Sequence, residues 1–339
     1  MPHHPAIIAG AGPIGLACAI SARRRGIEAL VLDVGAIVNS IVRYPPGMMF
    51  FTTPERLEIG DHPIVCAGPK PTREEAMMYY RGVARTERLA VRTWTRLVAA
   101  ERVKARIRCV VETATGIDEL TTDRLVLATG YFDHPNRLDV PGENLSHVRH
   151  YFDEAHLSWG QDVVVVGGKN SAVEAALQLY RAGARVTLVY RGLALKPSVK
   201  YWLAPDISNR LRAGEIIGRF GAEVRRIEPG WVTISREGVE ERLAADRVYA
   251  LTGFTPDFDL FRRMGIELDP ATQRPRLDPE TLETNVPGIH MAGSIVAGRA
   301  ISEVFIENGR YDGEKIFGDA EGRRRARELY EATPRPLGE

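Results

Sequence analysis

Apolar residues in this chain cluster in short runs that end at glycine, and the stretches after them repeat at helical spacing. Ile7–Ala9 reads as a short buried strand, followed by a helix pattern from about Pro13 to Arg25 that Gly26 ends. Ala29–Leu32 reads as a second strand and stops at Asp33. The series recurs later. Val163–Val166 is wholly apolar, as a parallel strand covered on both faces should be. A helix pattern from about Ser171 to Arg181 ends near Gly183, and Val186–Val189 is the next strand. Leu125–Leu127 runs into Ala128-Thr129-Gly130, and Val248–Leu251 into Thr252-Gly253, one downstream of each unit. Ile289–Met291 is a further strand ending at Ala292-Gly293, and a helix follows from about Ile301 to Asn308. Strand–helix–strand units of this kind predict an α/β protein with two Rossmann-like dinucleotide-binding domains.

The two turns carry the chemistry. Gly10, Gly12 and Gly15 have the GxGxxG spacing, between a strand and a helix. The helix that opens at Pro13 and Ile14 offers N–H groups and its dipole to a pyrophosphate. Asp33 stands where a carboxylate accepts bonds from ribose hydroxyls. The second turn is Gly167-Gly168-Lys169-Asn170-Ser171-Ala172, with Lys and Ala at the later glycine positions. Its second strand ends in Tyr190-Arg191 rather than an acid. Arg191 suits the 2′-phosphate of NADP, which a carboxylate would repel. Lys196 and Lys200 follow in a loop and add positive charge. Lys169 reads equally as a phosphate contact or a surface residue. The two Thr-Gly strand ends, Thr129-Gly130 and Thr252-Gly253, permit close backbone approach to a bound dinucleotide. Two turns in one chain predict two dinucleotides, a flavin (FAD) at the first and NADPH at the second.

Linker-like stretches at His134-Pro135-Asn136 and Thr255-Pro256-Asp257 divide the chain. The expected domains are residues 1–133 with 255–339 for FAD, and 134–254 for NADPH. A formal net charge of +1 over 339 residues favours neither nucleic acid nor a membrane surface. No apolar run reaches the ~20 residues of a spanning helix. Met1-Pro2-His3-His4 has no signal-peptide layout. Three separated cysteines, Cys18, Cys66 and Cys109, fit a reducing cytoplasm and exclude a CxxC redox pair. The histidines lack partners at ligand spacing, so no metal is expected. The tail from Glu321 reads as a solvated helix with a frayed, Pro-containing end.

Several stretches resemble the bacillithiol disulfide reductase family, within the thioredoxin-reductase-like flavoproteins of the pyridine nucleotide–disulfide oxidoreductase superfamily. They include Val38-Asn39-Ser40-Ile41, the run from Phe50 to Asp61, Ala128 to Asn136, Gly167 to Ser171, Val189 to Gly192, Glu283 to Val286 and Phe305 to Arg310. The resemblance implies a cytoplasmic homo-oligomer (dimer or tetramer) that takes hydride from NADPH to FAD and reduces a low-molecular-weight disulfide. It places Phe51 and Thr52 along the flavin ring. Gly293 and Ser294 match a Gly-Asp pair of thioredoxin reductases, so Ser294 could only make a neutral bond there. The turn at Ile301 and Ser302 is expected at a flavin carbonyl, where a helix N-terminus stabilises charge on the reduced ring.

One position departs from the family. Members typically carry a redox cysteine where this chain has Ile14. Cys18, one helical turn on, and Cys66 are the candidates for a substitute thiol; Cys109 reads as structural. The departure keeps three alternatives open: a ferredoxin/flavodoxin–NADP reductase with a redox-protein acceptor, a flavin monooxygenase, and a non-catalytic redox sensor. The monooxygenase linker would fall at Asn144 to His150, where His150 fits but Asn144 and Ser146 do not.

Overall fold

The computed structural model describes residues 1–333, and the chain forms two compact units. Among the described residues, the first comprises Met1–Arg43, Gly47–His134 and 255–333; the second comprises Tyr44–Pro46 and Pro135–Phe254.

The sheet of the first unit is built on strands β1 (His3–Ala9), β2 (Ala29–Leu32), β3 (Ala90–Arg92), β4 (Arg96–Val103), β5 (Arg106–Thr113) and β6 (Gly116–Leu127). The order β3–β2–β1–β6 is parallel, and Ile289–Met291 adds a parallel strand beyond β6. The long strand β6 serves both the parallel and the antiparallel part of this one sheet. Its first half pairs antiparallel with β5, and its last residues join the parallel sheet at Leu125↔Ile289. Period-two alternation then sends Ile7, Leu125, Leu127 and Met291 into one core with Leu97, Ile107 and Phe261. The helix α1 (Pro13–Arg24) packs on β1 and β2, with every residue from Gly15 to Ala22 buried. That burial explains its Ala-rich sequence, since small side chains let helix and sheet approach closely.

In the second unit, β7 (Val148–Arg149), β8 (Asp162–Val166), β9 (Arg185–Tyr190), β10 (Ile216–Phe220) and β14 (Arg247–Ala250) form a parallel sheet in the order β10–β9–β8–β14–β7. The unbroken valine run of β8 is explained by its two covered faces. Val163 and Val165 meet the helix Asn170–Arg181, while Val164 and Val166 meet an antiparallel meander. The meander is β11 (Ala222–Glu228), β12 (Gly230–Arg236) and β13 (Val239–Ala245). Both units are therefore Rossmann-like.

The region after Gly293 differs from the sequence expectation of one helix over Ile301–Asn308. Ile301–Glu303 is a short 3-10 turn, and Ile306–Gly309 is a separate four-residue helix. Asn308 causes the break. Its Oδ1 accepts the Phe305 N–H at 2.8 Å and its Nδ2 donates to the Glu303 carbonyl at 3.0 Å, using groups a continuous helix would pair itself. Ile301 and Ser302 thus head no helix, and the dipole expected there is absent. The tail helix is present as Ala320–Ala332; the Pro-containing end lies outside the described residues.

Candidate dinucleotide sites

The first turn sits at the carboxyl ends of β1 and β6, where open α/β sheets bind ligands. Gly10 has φ +114°, and a Cβ there would overlap the Ala128 carbonyl oxygen. Its N–H donates to the Leu32 carbonyl at 2.7 Å, which ties the turn to β2. A Cβ on Gly15 would overlap the Gly10 carbonyl, so α1 is pressed onto the turn. Gly12 is different: it is extended (φ −72°, ψ 175°) and a Cβ would meet nothing within 4 Å. Gly130 also has open space above it. Next to Gly130 in the chain, Thr129 Oγ1 is buried without a hydrogen-bond partner. Buried hydroxyls are normally satisfied. An open backbone cradle with one orphaned hydroxyl is what a dinucleotide would complete, and so the residues fit FAD.

Asp33 stands at the end of β2 and is buried. Its Oδ2 accepts the Ala11 N–H at 2.7 Å and its Oδ1 the Gly35 N–H at 2.9 Å. Burial raises its pKa, while those two bonds act against the rise. The carboxylate therefore braces the turn. Val38 completes the brace: its N–H donates to the Ala11 carbonyl at 3.0 Å. It does so from the left-handed region, at φ +52°, which is costly for a β-branched residue.

Ile14 is half-buried at the start of α1. Its Cδ1 fills the space that side chains at Gly293 and Gly309 would need, 2.8 and 2.7 Å from their ideal Cβ positions. Gly293 opens a 3-10 turn, Gly293–Ala297, and Ser294 lies half-buried in it. The Gly293 N–H donates to Asp312 Oδ2 at 2.8 Å. Asp312 escaped the sequence reading, because nothing local marks an acid 19 residues downstream of the glycine it serves. Burial pushes its carboxyl up to about 6, against the pull of Lys315 and the Gly293 bond.

Cys18 is not a substitute thiol. It is fully buried beneath Gly313, and burial together with the Asp312 charge raises its pKa well above the usual range. Such a thiol stays protonated and unreachable. Cys66 is half-buried and donates to the Gly68 carbonyl at 3.1 Å. Cys109 is buried on β5, its pKa pushed up to about 12 by burial. Of the ring-lining candidates, Phe51 is exposed and Thr52 half-buried.

The second turn repeats the geometry of the first. The Gly167 N–H donates to the Val189 carbonyl at 2.9 Å, and a Cβ on Gly167 would lie 2.5 Å from the Leu251 oxygen. Ala172 takes the place of a third glycine, with its methyl against Gly167. The Tyr190 ring lies across both Gly168 and Gly192, 2.5 Å from the Cβ position of each. Asn170 is a tether rather than a free contact. Its Oδ1 accepts the Lys200 N–H at 2.8 Å and its Nδ2 donates to the Ser198 carbonyl at 3.3 Å. The Lys196 N–H donates to the Gly168 carbonyl at 3.3 Å. Lys169, Ser171, Arg191 and Lys196 are all exposed around the turn. Gly253, at φ +94°, ends the neighbouring strand and accepts the Asn136 N–H at 2.9 Å. A cationic rim on a glycine turn fits a phosphate-bearing nicotinamide nucleotide.

His150 belongs to a different cluster, facing Arg137 Nη1 at 3.1 Å and Glu143 at 3.5 Å. Glu143 is buried and accepts the Leu138 and Asp139 N–H groups. The monooxygenase-like position is thus part of a loop brace.

Residues 7–293 match the family model described as pyridine nucleotide-disulphide oxidoreductase. The chain is 43% identical over 313 residues to the bacilliredoxin reductase Bdr of Bacillus subtilis, covering 92% of this chain and 95% of that one. The chain belongs to the pyridine nucleotide-disulphide oxidoreductase family, in its bacillithiol disulfide reductase branch. The solved Bacillus cereus bacillithiol disulfide reductase Bdr superposes with a TM-score of 0.90 at 39% identity, over 97% of this chain and 99% of that one. A ferredoxin–NADP reductase of Ignicoccus hospitalis is 27% identical over 309 residues, 86% of this chain and 89% of that protein. No helix among the described residues is long and apolar enough to cross a membrane.

Proposed function

We propose that this protein is an NADPH-dependent FAD oxidoreductase that reduces a low-molecular-weight disulfide of the bacillithiol type in the cytoplasm, as a homo-oligomer and without an enzyme thiol at position 14. The observation that carries the reading is the open cradle of Gly12, Thr129 and Gly130 in a chain of the bacillithiol disulfide reductase branch.

FAD bound at the first turn would accept hydride from NADPH and hand two electrons on. The protein's part is to bind and orient. The N-terminal N–H groups of α1 and the bare backbone of Gly12 receive the pyrophosphate. Thr129 gains its missing partner. Asp33, its oxygens each retaining a lone pair beside the backbone bonds, faces the ribose. Phe51, Thr52, Gly293, Ser294, Ile301 and Ser302 line the ring end. At the second turn Gly167, Gly168, Lys169 and Ser171 receive the phosphates, and Asn170 and Gly253 hold the surrounding loops. Tyr190 offers a ring face, while Arg191 and Lys196 supply charge for the 2′-phosphate. Ile14 closes with apolar surface the place that a thiol holds in relatives, so electrons leave for the acceptor directly.

The test is stopped-flow reoxidation of the NADPH-reduced protein by oxidised bacillithiol, ferredoxin, quinone and oxygen. Fast reoxidation by the disulfide supports the reading. Fast reoxidation by ferredoxin alone would move the protein to the ferredoxin reductases. Slow reaction with all four would make it a sensor.

A further inference from the structure

The two turns hold the end of their second strand in the same register. The Gly10 N–H donates to the Leu32 carbonyl at 2.7 Å, and the Gly167 N–H to the Val189 carbonyl at 2.9 Å. Asp33 therefore has Tyr190 as its counterpart in the second unit. The residue after the first glycine differs to match. At the first turn it is Ala11, whose N–H donates to the Asp33 carboxylate at 2.7 Å. At the second it is Gly168, where a Cβ would lie 2.5 Å from Cδ1 and Cε1 of the Tyr190 ring. Gly168 is not among the glycines with positive φ, so it is the ring rather than the backbone that demands a glycine there. A Cβ on Gly192 would likewise lie 2.5 Å from Tyr190 Cε1. Backbone bonds fix both glycines around the ring. The Gly168 carbonyl accepts the Lys196 N–H at 3.3 Å, and the Gly192 carbonyl accepts the Gly221 N–H at 2.9 Å.

Resting on the NADPH reading of this turn, we propose that Tyr190 is the residue that makes the second site reject NADH. Its ring occupies the place from which a carboxylate would accept the ribose 2′-hydroxyl of NADH. The phenol hydroxyl brings no negative charge against a 2′-phosphate and can donate to one. Arg191 does a different task. An exposed cation attracts the phosphate of NADPH but takes nothing away from NADH. Specificity is a difference of two affinities, and Tyr190 supplies the half that Arg191 does not.

Gly168 and Tyr190 then act as a matched pair. A methyl at position 168 would push the Tyr190 ring off the turn, because the space is already filled. With an acid at position 190 that space is vacated, and the same methyl would sit as the buried Ala11 does beside Asp33. The effect of alanine at 168 on nucleotide binding therefore depends on the residue at 190. Residues in contact show this coupling, and a tyrosine with no part in binding would not.

The experiment uses the full-length FAD-loaded protein and the variants Tyr190→Phe, Tyr190→Asp, Gly168→Ala and the double variant Gly168→Ala with Tyr190→Asp. Binding of NADP⁺ and of NAD⁺ is measured by calorimetry, and flavin reduction is followed with NADPH and with NADH. Tyr190→Phe should weaken NADP⁺ by about 10-fold and leave NAD⁺ unchanged. Tyr190→Asp should lower the preference for NADP⁺ over NAD⁺ by about 100-fold, with NAD⁺ bound more tightly than by the wild type. Gly168→Ala should weaken NADP⁺ by about 10-fold beside Tyr190 and have no further effect beside Asp. An unchanged preference in Tyr190→Asp, an equal loss for both nucleotides in Tyr190→Phe, or the same Gly168→Ala penalty in both backgrounds overturns the proposal. If Tyr190→Asp does not fold, Tyr190→Phe decides. A wild type with no preference for NADP⁺, or whose flavin NADPH does not reduce, would instead overturn the function on which the proposal rests.

Discussion

Gly12→Ala separates the cost of folding from the cost of binding at the first turn. Gly12 is extended rather than left-handed, and a Cβ there meets no atom within 4 Å. The added methyl should therefore leave the apo protein intact. Stability should even rise by about 0.4–1 kcal/mol, because alanine restricts the unfolded chain. The methyl projects into the space the FAD pyrophosphate is proposed to occupy. Forcing a methyl into a fitted contact costs about 1–3 kcal/mol, which corresponds to roughly 5- to 150-fold weaker binding. The assay is FAD affinity by fluorescence titration of apo protein, alongside thermal unfolding of the same sample. Gly10→Ala is the contrast: its Cβ would strike the Ala128 carbonyl from a φ of +114°, so folding itself should suffer. Gly12→Ala with unchanged FAD affinity and unchanged stability would refute the placement of the pyrophosphate.

Asp312 makes stability depend on pH. Its folded pKa of about 6 stands above the ordinary 3.8, so the folded state holds its proton more tightly, and stability falls as pH rises from about 4 through 6. The fall is on the order of 3 kcal/mol; Asp312→Asn, whose Oδ1 still accepts the Gly293 N–H, should flatten it in unfolding midpoints compared at about pH 4 and about pH 8, which bracket that window. Arg191→Glu should raise the KM for NADPH by about 10- to 100-fold, through loss of a charge-assisted phosphate bond, and leave NADH little changed; an equal effect on both nucleotides would remove Arg191 from 2′-phosphate recognition. Gly167→Ala should destabilise the second unit, seen as early protease cleavage between residues 135 and 254, since its Cβ would lie 2.5 Å from the Leu251 oxygen. Ile14→Cys should place a thiol between Gly293 and Gly309, detectable by alkylation, and speed disulfide-dependent reoxidation if a thiol there confers that chemistry.

The strands and turns were legible in the sequence because their cause is local. The valine run of β8 announces two covered faces, and Gly10 and Gly167 announce backbone that no side chain could share. The cation at Arg191 in place of an acid is likewise a local fact. What failed to read was set by side-chain partners that periodicity does not mark. The expected helix over Ile301–Asn308 is interrupted because Asn308 spends its side chain on Phe305 and Glu303, a competition that periodicity cannot register. Asp33 was legible as an acid at a strand end, but only the fold shows its oxygens holding Ala11 and Gly35. Cys18 looked available one turn from Ile14 until Gly313 and Asp312 closed over it. Asp312 carries no sequence mark at all. By itself the sequence determined that two strand–glycine–helix turns form, since steric limits on φ, ψ and Cβ act within a few residues. The tertiary structure alone decided which carboxyls are buried beside the first turn and which cysteines are silenced, because burial arises between segments as far apart in the chain as Cys18 and Gly313.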